Sequence, residues 1–222
     1  MLETLIGLFN IENNGIAAVI MMGVILFIGL FALAFFLERF YYLFVKSNVD
    51  KERFLSHVKR AILAGDLNAA VNYCNDRSAP LNNVVRAGLT SVMNQGSDDE
   101  IQTSMDVAAL REIPKVEKRT PFLALFGNIA TLMGLLTTIT GLISSFKAIA
   151  DVDPVEKVSI LSKGISIAMN GTAFGLCIAI PSLLGFAFLT ARTQKIIDDL
   201  HEGSVSTLNL VIQNKDKFKK SV

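Results

Sequence analysis

The residues of this chain with chemistry to offer lie in two long uncharged stretches, and almost all of them are hydroxyls. In the first stretch, Pro121 to Phe146, Gly127, Gly134 and Gly141 recur every seven residues, and Thr131, Thr138 and Ser145 keep the same interval beside them. Seven residues is close to two turns of an α-helix, so small residues share one face and the hydroxyls form a file along its edge. The second stretch, Gly164 to Ala191, repeats the theme: Gly164, Ala168, Gly171, Gly175 and Ser182 fall on one stripe, with Thr172 off its edge. Two roles are open to such hydroxyls. They can bond back to the carbonyl four residues earlier and do nothing else, or they can line a hydrated or ion-carrying path. Asn170 has a similar choice, with a helix–helix hydrogen bond favoured over a ligand role.

Neither stretch contains Asp or Glu. If these segments serve proton translocation, a second polypeptide must supply the titrating group. Lys147 and Lys163, near the stretch ends, are placed to snorkel to an interface. His57 and His201 stand alone, Cys74 and Cys177 lie in surroundings too different for pairing, and no run of acidic ligands occurs. Enzymatic, metal and disulfide chemistry are therefore not expected, and Cys177 reads as filling an apolar gap.

The elements that position these residues are membrane spans. About 20 residues rising 1.5 Å each cross a hydrocarbon core of about 30 Å. An earlier apolar run, Ile16 to Leu37, is long enough to span, and the acidic, Lys- and Arg-free segment before it argues against a cleaved signal peptide. It has no Ser, Thr, Asn or Gln, so every face suits lipid and its role reads as peripheral. Arg39, Lys46, Lys51 and Arg53 follow the first span, Lys115, Lys118 and Arg119 precede the second, and Arg192 and Lys195 follow the third. The positive-inside bias then sets the N-terminus outside and the C-terminus inside.

The expected layout is all-α: a periplasmic N-terminus over 1–15, a first transmembrane helix over 16–40, a cytoplasmic helical domain over 41–120, a second span over 121–148, a periplasmic turn over 149–158, a third span over 159–191 and a cytoplasmic tail over 192–222. The second and third spans are expected to extend as long helices. Within the inside domain Asp50 is placed to cap one helix and Gly65 to close it, Asp66 to cap the next, and Pro80 to begin a third. Ser97 and Glu100 read as a capping box for a helix that could run, with bends at Pro114 and Pro121, into the second span as one rod. The basic tail NKDKFKKSV suits anionic headgroups.

Composition agrees with a chain in lipid. Of 222 residues 51% are hydrophobic and 18% charged, against about a quarter charged in soluble domains, and mean hydropathy is +0.48. A net charge of +1 disfavours nucleic acid as a partner.

The segments TLMGLLTTITGLISSF and GISIAMNGTAFGLCIAIPSLL, with the inside segment AILAGDLNAAVNYCNDRSAPLNNVVRAGL, resemble the MotA/TolQ/ExbB family of proton-channel subunits, in its ExbB/TolQ-like branch. The resemblance implies a homopentameric ring in the bacterial inner membrane. It also implies a central pore holding the single spans of two copies of an ExbD/TolR-like partner, which brings a membrane aspartate. A TonB/TolA-like envelope-spanning protein is a further implied partner. The ring would convert ion flow into work on the cell envelope, in TonB-type import, Tol-type maintenance or gliding-type motility, with H⁺ or Na⁺ as the transported ion and no cofactor. Thr138, in Thr-Ile-Thr-Gly, matches the family's pore-facing threonine of the second span, and Thr172, in Gly-Thr-Ala-Phe-Gly-Leu, that of the third. Thr131 and Ser145 join them as ion-path candidates, and Gly127, Gly134, Gly141, Gly164, Gly171 and Gly175 as helix-packing and partner-facing positions. Pro181 matches the proline of the family's Ala-Ile-Pro signature; lacking an N–H, it would free the Cys177 carbonyl and bend the helix. One departure stands out: where the family commonly has a glutamate five residues before the third-span threonine, this chain has Ile167. That leaves the partner aspartate as the titrating group. A permease subunit and a structural membrane anchor are the rival readings; three unequal spans without internal duplication fit the former poorly.

Overall fold

A computed structural model describes residues 16–47, 49–150 and 152–215. The segment 1–15, Asp151 of the expected outside turn, and the basic tail beyond Lys215 lie outside the described residues. The described residues form helices and their connections, with no strand among them. In chain order the helices are α1 (Ile16–Tyr41), followed by a π-helical turn Tyr42–Lys46, α2 (Lys51–Ala64), α3 (Leu67–Asn75), α4 (Pro80–Met93), α5 (Asp98–Glu117), α6 (Thr120–Ala148) and α7 (Pro154–Gln213). Three helical runs, built on α1, α6 and α7, are long and apolar enough to cross a membrane.

The chain divides into two compact units, one made of residues up to 38 with 119–188, the other of 39–118 with those from 189. In the first unit α6 and α7 pack through their glycine faces. Helix α1 joins them by small-to-large contacts. A Cβ on Gly29 would stand 2.8 Å from Ile178 Cδ1, and one on Gly185 would stand 2.9 Å from the Phe36 ring. Phe35 adds ring contacts to Phe122 and Phe126, the latter edge-on at 5.4 Å. Lipid already satisfies large apolar side chains, so this steric fit, rather than hydrophobicity, holds helices together there.

In the second unit the local signals act as the sequence suggests. Asp50 caps α2 by accepting from the Arg53 N–H, and Asp66 caps α3 by accepting from Ala69. Gly65 closes α2 at φ +80°, a left-handed conformation that a side chain would strain. The Ser97–Glu100 capping box is formed, with the Ser97 N–H donating to the Glu100 carboxylate at 2.7 Å. Phe54, Val58, Ile62, Cys74, Val84, Val85, Leu89, Ile101, Met105 and Leu200 make one buried core. Gly88 lets Met105 approach: an added Cβ would meet its Sδ at 2.6 Å.

Two expectations about helix limits change. The helix begun at Ser97 does not continue unbroken into the second span, because α5 ends at Glu117 and α6 starts at Thr120, with Arg119 left-handed at φ +69°. In an unbroken helix Pro121 would offer no donor to the Glu117 carbonyl and its ring would collide with it; the break instead puts Pro121 in a first turn, where no N–H is needed. Pro114 is accommodated inside α5. Helix α7 begins at Pro154, within the stretch expected to be a turn, and runs 60 residues through Pro181.

Candidate functional site

The glycine faces of α6 and α7 are turned on each other. A Cβ on Gly134 would lie 3.3 Å from the Gly171 carbonyl oxygen and the Thr172 Cα, and one on Gly175 would lie 2.7 Å from the Ala130 carbonyl and 3.0 Å from the Gly134 Cα. These are backbone neighbours that no rotamer change can move. Gly141 faces Ala168 and Gly127 faces Leu183 and the Ala179 carbonyl, while Gly164 is filled by Ser145 and Gly171 by Thr137. All six glycines therefore serve packing within one chain. Gly127, Gly134, Gly171 and Gly175 are buried in this seam, while Gly141 and Gly164 keep part of their surface.

Close approach brings two hydroxyls together. Thr138 Oγ1 and Thr172 Oγ1 are in hydrogen-bond contact across the α6–α7 seam. Thr138 Oγ1 also reaches the carbonyls of Gly134 at 3.1 Å and Ala168 at 3.3 Å, and Thr172 Oγ1 reaches the same Gly134 carbonyl at 3.3 Å. Two hydroxyls carry two protons among these acceptors, so one can donate to a carbonyl while the other donates to it, and unused lone pairs remain on both oxygens. The pair can accept a proton donor or turn a hydrogen toward an anion.

The other hydroxyls are bound locally. Thr131 donates to the Gly127 carbonyl at 3.1 Å and Ser145 to that of Gly141 at 2.8 Å, each four residues back. Ser145 is buried, whereas Thr131 is exposed at the edge of the glycine face. Ser182 donates at 2.7 Å to the carbonyl of Ile178, the residue next to Cys177, whose own carbonyl Pro181 leaves without a helical donor. Asn170 is exposed and has no hydrogen-bond partner among the described residues. Ile167 is half-buried.

A sulfur acceptor escapes the sequence reading. Met21 of α1 lies 3.6 Å from Thr137 Oγ1 and 3.5 Å from Thr140 Oγ1, so the first helix reaches polar groups of α6 through its thioether. Thr137 is almost fully buried at 1% exposure. The adjacent pair Thr137-Thr138 is the one signal that could have drawn attention to it; nothing in the all-apolar first span singles out Met21.

The model of the MotA/TolQ/ExbB proton channel family matches residues 76–202, which take in α6 and most of α7. The chain belongs to this family. Among similar proteins of the MotA/TolQ/ExbB family, the Tol-Pal system protein TolQ of Pseudomonas aeruginosa is 34% identical over 97 residues, 44% of this chain and 42% of that protein. The biopolymer transport protein exbB1 of Vibrio cholerae is 35% identical over 91 residues, 41% of this chain and 40% of that protein. The matched stretch thus spans about two fifths of these relatives' length. A structure of C. jejuni MotAB shares the fold at a TM-score of 0.50, with 14% identity, covering 88% of this chain and 80% of that one.

Proposed function

We propose that this chain is the ring-forming subunit of an ion-driven motor in the bacterial inner membrane, with its N-terminus periplasmic and its C-terminus cytoplasmic. The observation that carries the reading is the Thr138–Thr172 hydroxyl pair, set in helices that contain no carboxylate in their apolar stretches. In this account five copies surround the single spans of two copies of an ExbD/TolR-like protein, and the partner's aspartate is handed from one hydroxyl pair to the next. A bare acid in the hydrocarbon core costs about 2.5–3.5 kcal/mol on insertion scales. A hydroxyl pair that can donate to the carboxylate and accept from the acid lowers that cost in both states. Moving one charge through 100 mV supplies about 2.3 kcal/mol, enough to bias one small step of the ring against its core. Because the two partner acids face a fivefold ring, they meet different surroundings at any instant, and alternate protonation becomes rotation.

The local bonds of Thr131 and Ser145 favour a packing role for those two, with Thr131 the one of the pair whose edge stays open. H⁺ and Na⁺ are both compatible with hydroxyl ligands. The work delivered is TonB-type import, Tol-type maintenance or gliding-type motility.

Thr138→Val and Thr172→Val test the assignment. Each is expected to lower ion-driven work about tenfold or more, the worth of one hydrogen bond to a charged group, while native mass measurement still finds the ring. Wild-type activity in both variants would remove the role.

A further inference from the structure

The helical unit made by α3, α4 and α5 has a polar cleft of ≈ 720 Å³, within the range of small-molecule sites. Its walls follow from helical spacing: Asn83, Arg86 and Thr90 share one face of α4, with Asn94 at its C-terminal cap, and Ser104, Val107, Arg111 and Lys115 share one face of α5. Leu89 and Met105, buried behind them, hold the two helices together.

The charges in this cleft do not balance. Four cations line it, Arg77, Arg86, Arg111 and Lys115, against one acid, Glu112. Glu112 is buried and already matched, by Lys115 Nζ at 2.7 Å and by Asn83 Nδ2 at 3.1 Å. Arg77, Arg86 and Arg111 form no ion pair with any described residue. Two other cations of the second unit are paired, Lys51 with Asp199 and Glu202 and Lys215 with Asp98. Arg86 Nη1 donates to Asn75 Oδ1 at 3.0 Å, so a neutral amide fixes this guanidinium without cancelling its charge. Further donors come from the Ser78, Ser91 and Ser104 hydroxyls and the Asn94 amide, while Val107, Ala87 and Ala108 give a small apolar floor.

The geometry points to a binding site for a phosphate-bearing anion. Guanidinium forks match phosphate oxygens two at a time, and hydroxyls and amides complete the remaining lone pairs. The same chemistry serves a soluble phosphorylated metabolite or the phosphate of an anionic lipid headgroup. Occupancy would join α4 to α5 through charge-assisted bonds and so make the unit ligand-sensitive, independently of how the spans carry ions.

Binding to the full chain in nanodiscs decides it in two arms. Inorganic pyrophosphate titrated onto protein in phosphatidylcholine discs reads the soluble source, and phosphatidylglycerol added to the discs without pyrophosphate reads the headgroup source. Saturable binding is expected in at least one arm. It should weaken about tenfold or more in Arg86→Gln/Arg111→Gln, the scale of one lost charge-assisted bond, and stay unchanged in Lys59→Gln. Because all three arginines are exposed, the variants should keep the wild-type melting curve; should the double variant unfold, Arg77→Gln and Arg111→Gln singly should each weaken binding several-fold. Absence of saturation in both arms, or equal binding by folded arginine variants, would overturn the proposal.

Discussion

Thr138 and Thr172 differ from Thr131 and Ser145 in one respect: their hydroxyls bond across the seam between two helices, whereas those of Thr131 and Ser145 bond along their own. The seven-residue interval shows Thr131, Thr138 and Ser145 alike, since period alone places them on one edge. Which of them meets a second hydroxyl depends on the register of α7, and that register is fixed by the glycines. Gly175 is the tightest backbone contact, so Gly175→Ala should separate the helices and cost about 1–3 kcal/mol, read as a lowered melting temperature in detergent and a loss of activity comparable with Thr172→Val. Thr138→Ser keeps the hydroxyl and should retain most of the activity that Thr138→Val loses; equal losses would show that the methyl group, and not the hydroxyl, matters. In the helical unit, burial pushes the Cys74 thiol up to about 12 from 9.0. The unfolded chain releases that proton first, so between about pH 9 and 12 the unfolded state binds fewer protons and stability falls as pH rises. Cys74→Ala should flatten that part of the pH–stability curve, measured by denaturant unfolding, and a curve of unchanged slope would contradict the attribution.

At the scale of elements, legibility tracks how local the physics is. Asp50, Gly65, Asp66, Pro80 and the Ser97–Glu100 box act within a turn of their own position, and the structure places each at a helix end. Ser97→Ala should cost about 0.5–2 kcal/mol by removing the acceptor for the Glu100 N–H, visible as a shifted unfolding midpoint; no shift would mean that α5 is held by packing alone. The break at Lys118–Arg119 was less legible, because a proline reads equally as a bend within a helix or as the start of a new one. The contact of Met21 with Thr137 and Thr140 was not legible at all, since a thioether in an apolar span has no sequence signature and its partners lie more than a hundred residues away.

For the whole molecule, composition and span pattern led to the fold class because a bilayer admits few solutions: backbone polar groups must be satisfied in a helix or a closed barrel, and uninterrupted apolar runs of about 20 residues or more select the helix. The apolar stretches of the three spans contain no Asp or Glu. In the proposed function the chain alone is therefore a poor proton conductor, and its activity depends on a companion polypeptide. The measurement that tests this most directly is proton flux in liposomes, comparing the chain alone with the chain reconstituted beside a single-span partner that carries an intramembrane aspartate. The chain alone should leak no faster than empty vesicles, and flux should appear with the partner and vanish with the partner's Asp→Asn variant. A robust proton current from the chain by itself would contradict the account.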